Sequence, residues 1–359
     1  MQVDISKIDS NFLAGSKITR QDIVWYPIWE APIRIYGLAH TEPEKFWRLP
    51  ESLMGEISEG LGYLGRFTTG GRIRFRTDSP FIAFRARSLY SIPMNHMPLT
   101  GSAGTDLLIN GRSFTTFRPQ PDYDQWYEGI FEFWEPLPGM DGLNDVEMNM
   151  CLYNGIRDAW IGIQTGSQLE APKPYTIEKP MVFYGNSVTQ GGCASKPGNS
   201  FPGFLGRWLD ANHINLGFSG AGRGEQALAR HIASLDMSLC FLDYDHNAPD
   251  AEHLRKTHYP FYKTIRDANP DLPIIMATMP NEDSLPRWRA ERREAIWESY
   301  QRARAEGDQK VWFVDGITLF EEEDRDACTM DGAHPNDLGF YRMAKNLLPV
   351  IREALDLTP

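Results

Sequence analysis

The order of hydrophobic and polar positions in the second half of the chain predicts alternating strands and helices. Near-continuous apolar runs lie at residues 181–184, 214–216, 239–243, 274–279 and 311–314. Segments of helical periodicity lie at about 201–211, 225–232, 251–268, 287–306 and from 337 onward. Strands that are apolar on both faces are typical of a parallel sheet covered by helices. We therefore expect a flavodoxin-like, three-layer α/β/α domain over residues 181–359.

Residues 1–170 carry a different pattern, in which short strands alternate polar and apolar positions. Residues 72–77 and 81–87, joined by Asp78-Ser79-Pro80, predict a hairpin with one solvent-facing side. Asn110-Gly111 is a strong hairpin turn between two further strand candidates. In all, such candidates lie at 105–109, 113–117, 126–133, 146–151 and 159–164. Many short strands with regular turns favour a β-sandwich domain of jelly-roll type.

A proline-rich segment separates the two patterns. Residues 171–180 contain Pro172, Pro174 and Pro180. Proline fixes φ and lacks the backbone N–H, so we expect an extended linker that is neither helix nor central strand. The predicted organisation is a β-sandwich domain at 1–170, a linker at 171–180 and an α/β domain at 181–359.

Ser187 follows the first buried strand, in Gly185-Asn186-Ser187. Open α/β sheets bind ligands at the carboxyl ends of their strands, where this serine is placed. Serine is a weak nucleophile unless an imidazole takes its proton and a carboxylate orients that imidazole. Asp331 and His334, three residues apart in one loop, supply both groups.

Two further segments follow strands that end at the same edge. Gly220 lies in Asn215-Leu216-Gly217-Phe218-Ser219-Gly220, and Asn247 ends Asp243-Tyr244-Asp245-His246-Asn247. A glycine N–H and an asparagine amide suit the stabilisation of an oxyanion. Each element alone is common in ordinary turns, but the four in this order indicate a catalytic site.

This order of serine, glycine, asparagine and Asp-x-x-His resembles the SGNH, or GDSL-type, hydrolases, which include esterases, lipases, thioesterases and carbohydrate deacetylases. The resemblance covers about residue 180 to the C-terminus. It implies Ser187 as nucleophile, His334 as general base and Asp331 as the carboxylate that orients it. It also implies an oxyanion hole formed by the Ser187 N–H, the Gly220 N–H and the Asn247 side chain.

The chain departs from the family pattern at two places. Asn186 stands where the family has aspartate in Gly-Asp-Ser, and Asp245 and His246 occupy the approach to Asn247 where a glycine is usual. These departures bear on the substrate more than on the reaction class. In the first half, the segment 104–108, Gly-Thr-Asp-Leu-Leu, is similar to the Gly-x-Asp-Leu-Tyr element of β domains that precede some SGNH hydrolases, with Leu108 replacing tyrosine.

The composition of the chain limits which binding partners are expected. The 359 residues are 42% hydrophobic and 23% charged, as in globular proteins, and the formal charge of -12 disfavours nucleic acid and anionic membranes. The start of the chain lacks signal-peptide character and no apolar stretch approaches spanning length, which predicts a cytoplasmic protein. Four cysteines are too few for a disulfide framework.

We expect no cofactor and no metal, because the histidines at 246, 253 and 258 fit no metal-binding spacing. Homo-oligomerisation is left open.

The expected activity is hydrolysis of a short acyl ester, with acetyl the first choice, of a carbohydrate or other polar alcohol. Residues 191–199, after Ser187, are small and polar, which favours a short acyl group. One alternative is a carbohydrate-binding protein with a vestigial hydrolase half; another is acyl transfer through the same acyl-enzyme. Because pockets favour domain interfaces, loop 90–98 is expected to form part of the pocket wall. The candidate substrate contacts are Asn186, His246, Tyr90, Asn95 and His96.

Overall fold

Two antiparallel sheets face each other in the first half of the chain. The computed structural model describes residues 8, 18–90, 94–119, 126–133, 142–280 and 286–357. The strands of this half are β1 (Ile23–Pro27), β2 (Arg34–Tyr36), β3 (Arg72–Thr77), β4 (Phe81–Ser88), β5 (Thr105–Ile109), β6 (Arg112–Phe117), β7 (Trp126–Glu132), β8 (Asn144–Asn149), β9 (Ile156–Gln164) and β10 (Leu169–Glu170); the helices are α1 (Glu59–Gly65) and α2 (Leu99–Ser102). One sheet has the order β1-β9-β4-β7, and the other has the order β10-β3-β8-β5-β6 with β2 beside β3. Their inner faces share one apolar core, which confirms the predicted β-sandwich.

The predicted hairpin of β3 and β4 is wrong, because the two strands lie in different sheets. The turn at residues 78–80 crosses from one sheet to the other. The side of β3 that was expected to face solvent is also covered: Arg72 and Arg74 are buried, and both guanidinium groups lie against the Tyr175 ring. The hairpin at Asn110-Gly111 is confirmed, with φ values of 49° and 75° that suit its two-residue turn.

The second half of the chain forms a parallel sheet with helices on both faces. Its elements are β11 (Ile177–Gly185), α3 (Ser187–Gln190), α4 (Phe201–Leu209), β12 (Ala211–Gly217), α5 (Gln226–Ala233), β13 (Leu239–Asp243), α6 (Ala251–Ala268), β14 (Ile274–Ala277), α7 (Pro286–Ala305), β15 (Val311–Val314) and α8 (Asp337–Ala354). The strand order β12-β11-β13-β14-β15 is the flavodoxin-like order, as predicted. Separate apolar clusters cover the two faces of the sheet. None of the described helices has the length and apolar character that a membrane span requires.

The first strand of the parallel sheet begins earlier than the sequence suggested. Residues 177–180, placed in the linker, belong to β11, and Pro180 therefore lies within a central strand. The pairing of β11 with β12 shifts its register between Ile177 and Met181. A bulge of this kind tolerates proline, because no ladder hydrogen bond is needed from its nitrogen.

Two arginines of the β-sandwich bind the outer edge of β12. The carbonyl groups of His213, Asn215 and Gly217 alternate along this edge strand and point away from β11. Arg48 Nη1 donates to Asn215 O at 3.2 Å and to Gly217 O at 2.6 Å, and Arg72 Nη1 donates to His213 O at 2.9 Å. The first domain thus satisfies the backbone acceptors that an open sheet edge would leave unpaired.

The Gly-Thr-Asp-Leu-Leu segment makes a second connection between the halves. Asp106 is fully buried and accepts hydrogen bonds from the backbone N–H of Asn149, within its own domain, and of Gly198, in the α/β domain. Burial raises the pKa of Asp106 to about 6, and hydrogen bonds with the Asn149 side chain and the Gly198 N–H oppose that shift. Met97, from the loop before α2, is buried in an apolar cluster of the α/β domain.

Candidate active site

A sharp turn presents Ser187 at the end of β11. Asn186 caps α3, and Ser187 is the first residue of that helix, with 8% of its surface exposed. The turn requires Gly185, because a Cβ there would lie 2.2 Å from Thr189 Oγ1 and 2.4 Å from Asp243 O. The strand, the glycine and the short helix together hold the serine hydroxyl at the carboxyl edge of the sheet.

Ser187, His334 and Asp331 form a continuous hydrogen-bonded chain. The distance from Ser187 Oγ to His334 Nε2 is 2.9 Å, and that from His334 Nδ1 to Asp331 Oδ2 is 2.8 Å. Partial burial would raise the pKa of Asp331, but hydrogen bonds from the His334 N–H and ring and from the Ala333 N–H outweigh it and lower the pKa to about 2. The carboxylate therefore stays ionised and accepts the Nδ1 proton, which leaves Nε2 free to take the serine proton.

The donors expected from Gly220 and Asn247 are bonded to each other, and the Asn247 amide is also bonded to the loop that contains Gly220. The Gly220 N–H donates to Asn247 Oδ1 at 3.0 Å. Asn247 Nδ2 donates to Phe218 O at 2.8 Å and to Gly222 O at 2.9 Å. These three bonds fix the orientation of the amide, so the predicted oxyanion hole is not open in this structure. The Ser187 N–H has no hydrogen-bond acceptor among the described residues.

Asn186 does not face a substrate, contrary to the sequence-based expectation. It is fully buried. Its Oδ1 accepts from the backbone N–H of Val188 at 2.7 Å and of Thr189 at 3.4 Å, and its Nδ2 donates to Asp243 Oδ1 at 3.3 Å. The asparagine therefore acts as a helix cap behind the nucleophile.

His246 lies beside the hydrogen-bonded chain. Burial lowers its pKa to about 4, the electrostatic interactions with His334 and Arg292 act in the same direction, and the Asp331 carboxylate opposes them. Its ring meets the Trp288 ring edge-on at 5.7 Å, and its Nδ1 has no hydrogen-bond partner in the structure as described. A neutral imidazole here can donate to or accept from a substrate hydroxyl.

Of the three substrate contacts expected from loop 90–98, one lies close to the catalytic residues. Residues 91–93 lie outside the described residues. His96 is exposed, with its ring 6.1 Å from the His334 ring. Asn95 is exposed in the same turn, whereas the Tyr90 ring packs against Tyr63 and Phe67.

Tyr153 is a site residue that sequence reasoning missed. It belongs to the first domain, yet its hydroxyl donates to the Ser187 carbonyl oxygen at 3.3 Å and lies within hydrogen-bonding reach of the Ser219 side chain. Burial raises the pKa of its phenol, so the hydroxyl remains a donor. A Cβ on Gly192 would lie 2.8 Å from Tyr153 Oη and 3.3 Å from His334 Cδ2, so backbone forms this side of the pocket. No local motif around Tyr153 signals this role.

The residues considered as metal ligands are dispersed. The His253 ring hydrogen-bonds with Arg223 O, and His258 is buried against the Tyr244 ring. The described ranges contain no group of three or more His, Cys, Asp or Glu side chains arranged to hold a metal ion. Cys193, near the site, is buried, and burial followed by the Asp331 charge raises the pKa of its thiol to about 11.

Comparison with known proteins agrees with this geometry. Residues 178–352 match the model of the GDSL-like lipase/acylhydrolase family, and residues 23–169 match that of the GxDLY domain at the N-terminus of SGNH-hydrolase-type esterases. A structure from Bacteroides ovatus described as a GDSL-like lipase is 26% identical, with a TM-score of 0.83 over 94% of this chain and 99% of its own. No curated protein matches the sequence.

Two more distant structures share the fold. A salicylyl-acyltransferase from a tetracycline biosynthetic pathway is 22% identical, with a TM-score of 0.78 over 95% of this chain and 99% of its own. An acetyl xylan esterase from the rumen bacterium Butyrivibrio proteoclasticus is 13% identical, with a TM-score of 0.58 over 93% of this chain and 99% of its own. The matches to the two family models confirm both family resemblances seen in the sequence.

Proposed function

We propose that the chain, a serine ester hydrolase whose residues 178–352 match the GDSL-like lipase/acylhydrolase family, removes a short acyl group, acetyl first, from a carbohydrate or other polar alcohol. The observation that carries the proposal is the Ser187–His334–Asp331 chain at the carboxyl edge of the sheet. An ordered chain of nucleophile, base and orienting carboxylate is the arrangement that acyl transfer requires.

In the proposed mechanism, His334 Nε2 takes the Ser187 proton as Oγ attacks the ester carbonyl carbon. The tetrahedral intermediate collapses, the C–O bond to the alcohol breaks, and His334 returns the proton to the departing oxygen. Water then attacks the acyl-enzyme by the same route and releases the carboxylic acid. The Ser187 N–H is one donor to the oxyanion. The Gly220 N–H joins it when its hydrogen bond to Asn247 Oδ1 opens, and the Asn247 amide joins it when Nδ2 leaves the carbonyl oxygens of Phe218 and Gly222. Catalytic hydrogen bonds often form in this way only when substrate binds.

Two features support a short acyl group and a polar alcohol. The backbone of Gly192 lies against Tyr153 and His334, which leaves little depth beside the nucleophile. The neutral imidazole of His246 and the exposed ring of His96 offer polar contacts for hydroxyl groups. The acetyl xylan esterase that shares the fold is consistent with such a substrate.

A second candidate function is acyl transfer to an alcohol other than water. The observation that favours it is the similarity to a salicylyl-acyltransferase over 95% of the chain. Both reactions use the same acyl-enzyme, and exclusion of water decides between them. The hydrogen-bonded catalytic chain weighs against the third possibility, a carbohydrate-binding protein with a vestigial hydrolase half.

The test is turnover of p-nitrophenyl acetate, butyrate and octanoate, and of an acetylated oligosaccharide, by the wild type and Ser187→Ala. Ser234→Ala is the matched control, because the Ser234 hydroxyl is exposed and bonds the carbonyl of His231. We expect activity that falls with chain length and is lost in Ser187→Ala alone. Added alcohol that diverts the acetyl group to a new ester would favour acyl transfer. Turnover retained by Ser187→Ala would refute the mechanism, and a preference for octanoate would refute the short acyl group.

A further inference from the structure

A buried carboxylate lies directly behind the nucleophile, and the mechanism gives it no role. Asp243 ends β13 and is 2% exposed. Its Oδ1 accepts from Asn186 Nδ2 at 3.3 Å, and its Oδ2 accepts from Thr189 Oγ1 at 2.9 Å. Its backbone oxygen accepts from the Asn186 N–H at 3.0 Å. Asp243 thus holds the residue before Ser187 and the residue two positions after it.

The orientation of the Asn186 amide is fixed by its surroundings. Because Oδ1 accepts from the Val188 and Thr189 N–H groups, the NH₂ group must face Asp243, and a carboxylate is the acceptor that suits it. α3 has four residues, fewer than an isolated helix needs to be stable. The position of Ser187 therefore depends on the contacts made by its neighbours.

We propose that Asp243 is a positioning residue for Ser187, and that Asn186 and Asp243 form one amide–carboxylate pair whose two groups can be exchanged. The amide occupies the turn position where Gly-Asp-Ser hydrolases carry a carboxylate, and the carboxylate lies on the neighbouring strand. This inference rests on the proposed function, because it concerns the same nucleophile.

The charges around the pair explain why the exchange has to be reciprocal. Aspartate at 186 would still cap α3, but it would place a second carboxylate about 3.3 Å from Asp243, and two buried carboxylates so close cannot both ionise. Asp245 is the other acidic group close to the pair. Burial of Asp243 raises its pKa, and the negative charge of Asp245 raises it further. The cations Arg292 and Arg289 act on Asp245. A third carboxylate has no cation to balance it among these groups.

In the double variant Asn186→Asp with Asp243→Asn, every hydrogen bond has a counterpart. One oxygen of the new carboxylate accepts from the Val188 N–H, and the other accepts from the new amide. The oxygen of that amide accepts from the Thr189 hydroxyl. The double variant therefore has a single carboxylate in the pair and keeps the cap of α3, as the wild type does. Asn186→Asp alone has two carboxylates in the pair.

The experiment measures the rate at which a fluorophosphonate labels Ser187, a reaction that forms the Oγ–P bond and expels fluoride. It compares the wild type, Asn186→Asp, Asp243→Asn and the double variant from pH 6 to 9. At pH 9 we expect labelling of Asn186→Asp to be slower by roughly 10- to 100-fold, and that of the double variant to be within about 3-fold of the wild type. The deficit of Asn186→Asp should shrink at pH 6, where protonation removes one of the two charges.

A second pair of variants keeps the proposal testable if Asn186→Asp fails to fold. Thr189→Val removes the hydroxyl that bonds Asp243 and should slow labelling by roughly 3- to 10-fold, whereas Thr189→Ser should not. Asp250→Asn is the matched control, because Asp250 caps α6. Full labelling of Asn186→Asp at every pH, or equal rates for Thr189→Val and Thr189→Ser, would overturn the exchange while leaving Ser187 as nucleophile. A wild type that the reagent does not label would instead refute the proposed function itself.

Discussion

Replacement of Arg48 by methionine should destabilise the protein and slow catalysis, although Arg48 lies in the first domain. The side chain is 1% exposed and packs over the Phe218 ring. It donates to Asn215 O and Gly217 O on β12 and to Leu64 O at 2.7 Å in its own domain. Methionine fills a similar volume but donates no hydrogen bond.

The expected cost follows from the carbonyl groups left behind. Leu64 O keeps two backbone N–H donors, but Asn215 O and Gly217 O lose theirs. Each unsatisfied buried carbonyl costs about 1–3 kcal/mol, and removing a buried charge offsets part of the sum. We therefore expect a loss of about 2–4 kcal/mol, which for a domain of this size lowers Tm by roughly 5–15 °C.

The functional effect should follow from the same strand. Asn215 Nδ2 donates to Thr189 O at 2.7 Å, which joins β12 to the nucleophile helix. Displacement of this strand should lower kcat for p-nitrophenyl acetate by roughly 10- to 100-fold. The control is Arg230→Met, because the exposed ion pair of Arg230 with Glu56 is worth about 0–1 kcal/mol. If the two variants changed Tm and kcat equally, the edge contact would not be the stabilising feature that we describe.

Three further predictions concern the site itself. Because the pKa of Asp331 falls from an ordinary 3.8 to about 2, its contribution to stability is complete above pH 4 and lost as the pH falls toward 2. Ionisation of Asp331 should therefore not change kcat/KM between pH 5 and 9, whereas Asp331→Asn should lower kcat by at least about 100-fold. Asn247→Ala should lower kcat by roughly 100- to 1000-fold and should also lower Tm. A lower Tm with unchanged kcat would show that Asn247 only holds the loop at residues 218–222. Tyr153→Phe should reduce kcat/KM by about 3- to 10-fold, and an unchanged value would show that its hydroxyl has no part in positioning Ser187.

The parts of the site that sequence predicted are those that depend on strand ends. Ser187 and the Asp331-to-His334 loop each follow from a local pattern, and parallel strands bring their carboxyl ends to one edge whatever the details of packing. The hydrogen bonds of the site depend instead on neighbours distant in sequence. The amide of Asn247 turns toward the loop after β12 because Phe218 O and Gly222 O lie within its reach, and no pattern in residues 243–247 contains that information.

The same limit explains the errors in the fold. Alternation along β3 correctly predicted a strand, but not that its polar side is covered, with Arg72 bonded to His213 O of the second domain and Arg74 buried against the Tyr175 ring. Arginine is usually a surface residue, so a pattern of polar positions could not distinguish solvent from a partner surface. Pro180 was excluded from a central strand by a rule that holds for regular pairing and fails at a bulge.

These contacts make the β-sandwich a structural part of the hydrolase. β12 is an edge strand of the parallel sheet, and an uncovered edge of unpaired backbone groups invites association with other strands. Arg48 and Arg72 cover that edge and donate the hydrogen bonds that water would otherwise supply. Tyr153, from the same domain, donates a hydrogen bond to the carbonyl oxygen of Ser187. Because one domain both closes the sheet and touches the nucleophile, a change in their packing alters stability and catalysis together. The catalytic rate can therefore respond to substitutions in the first domain that never contact the substrate.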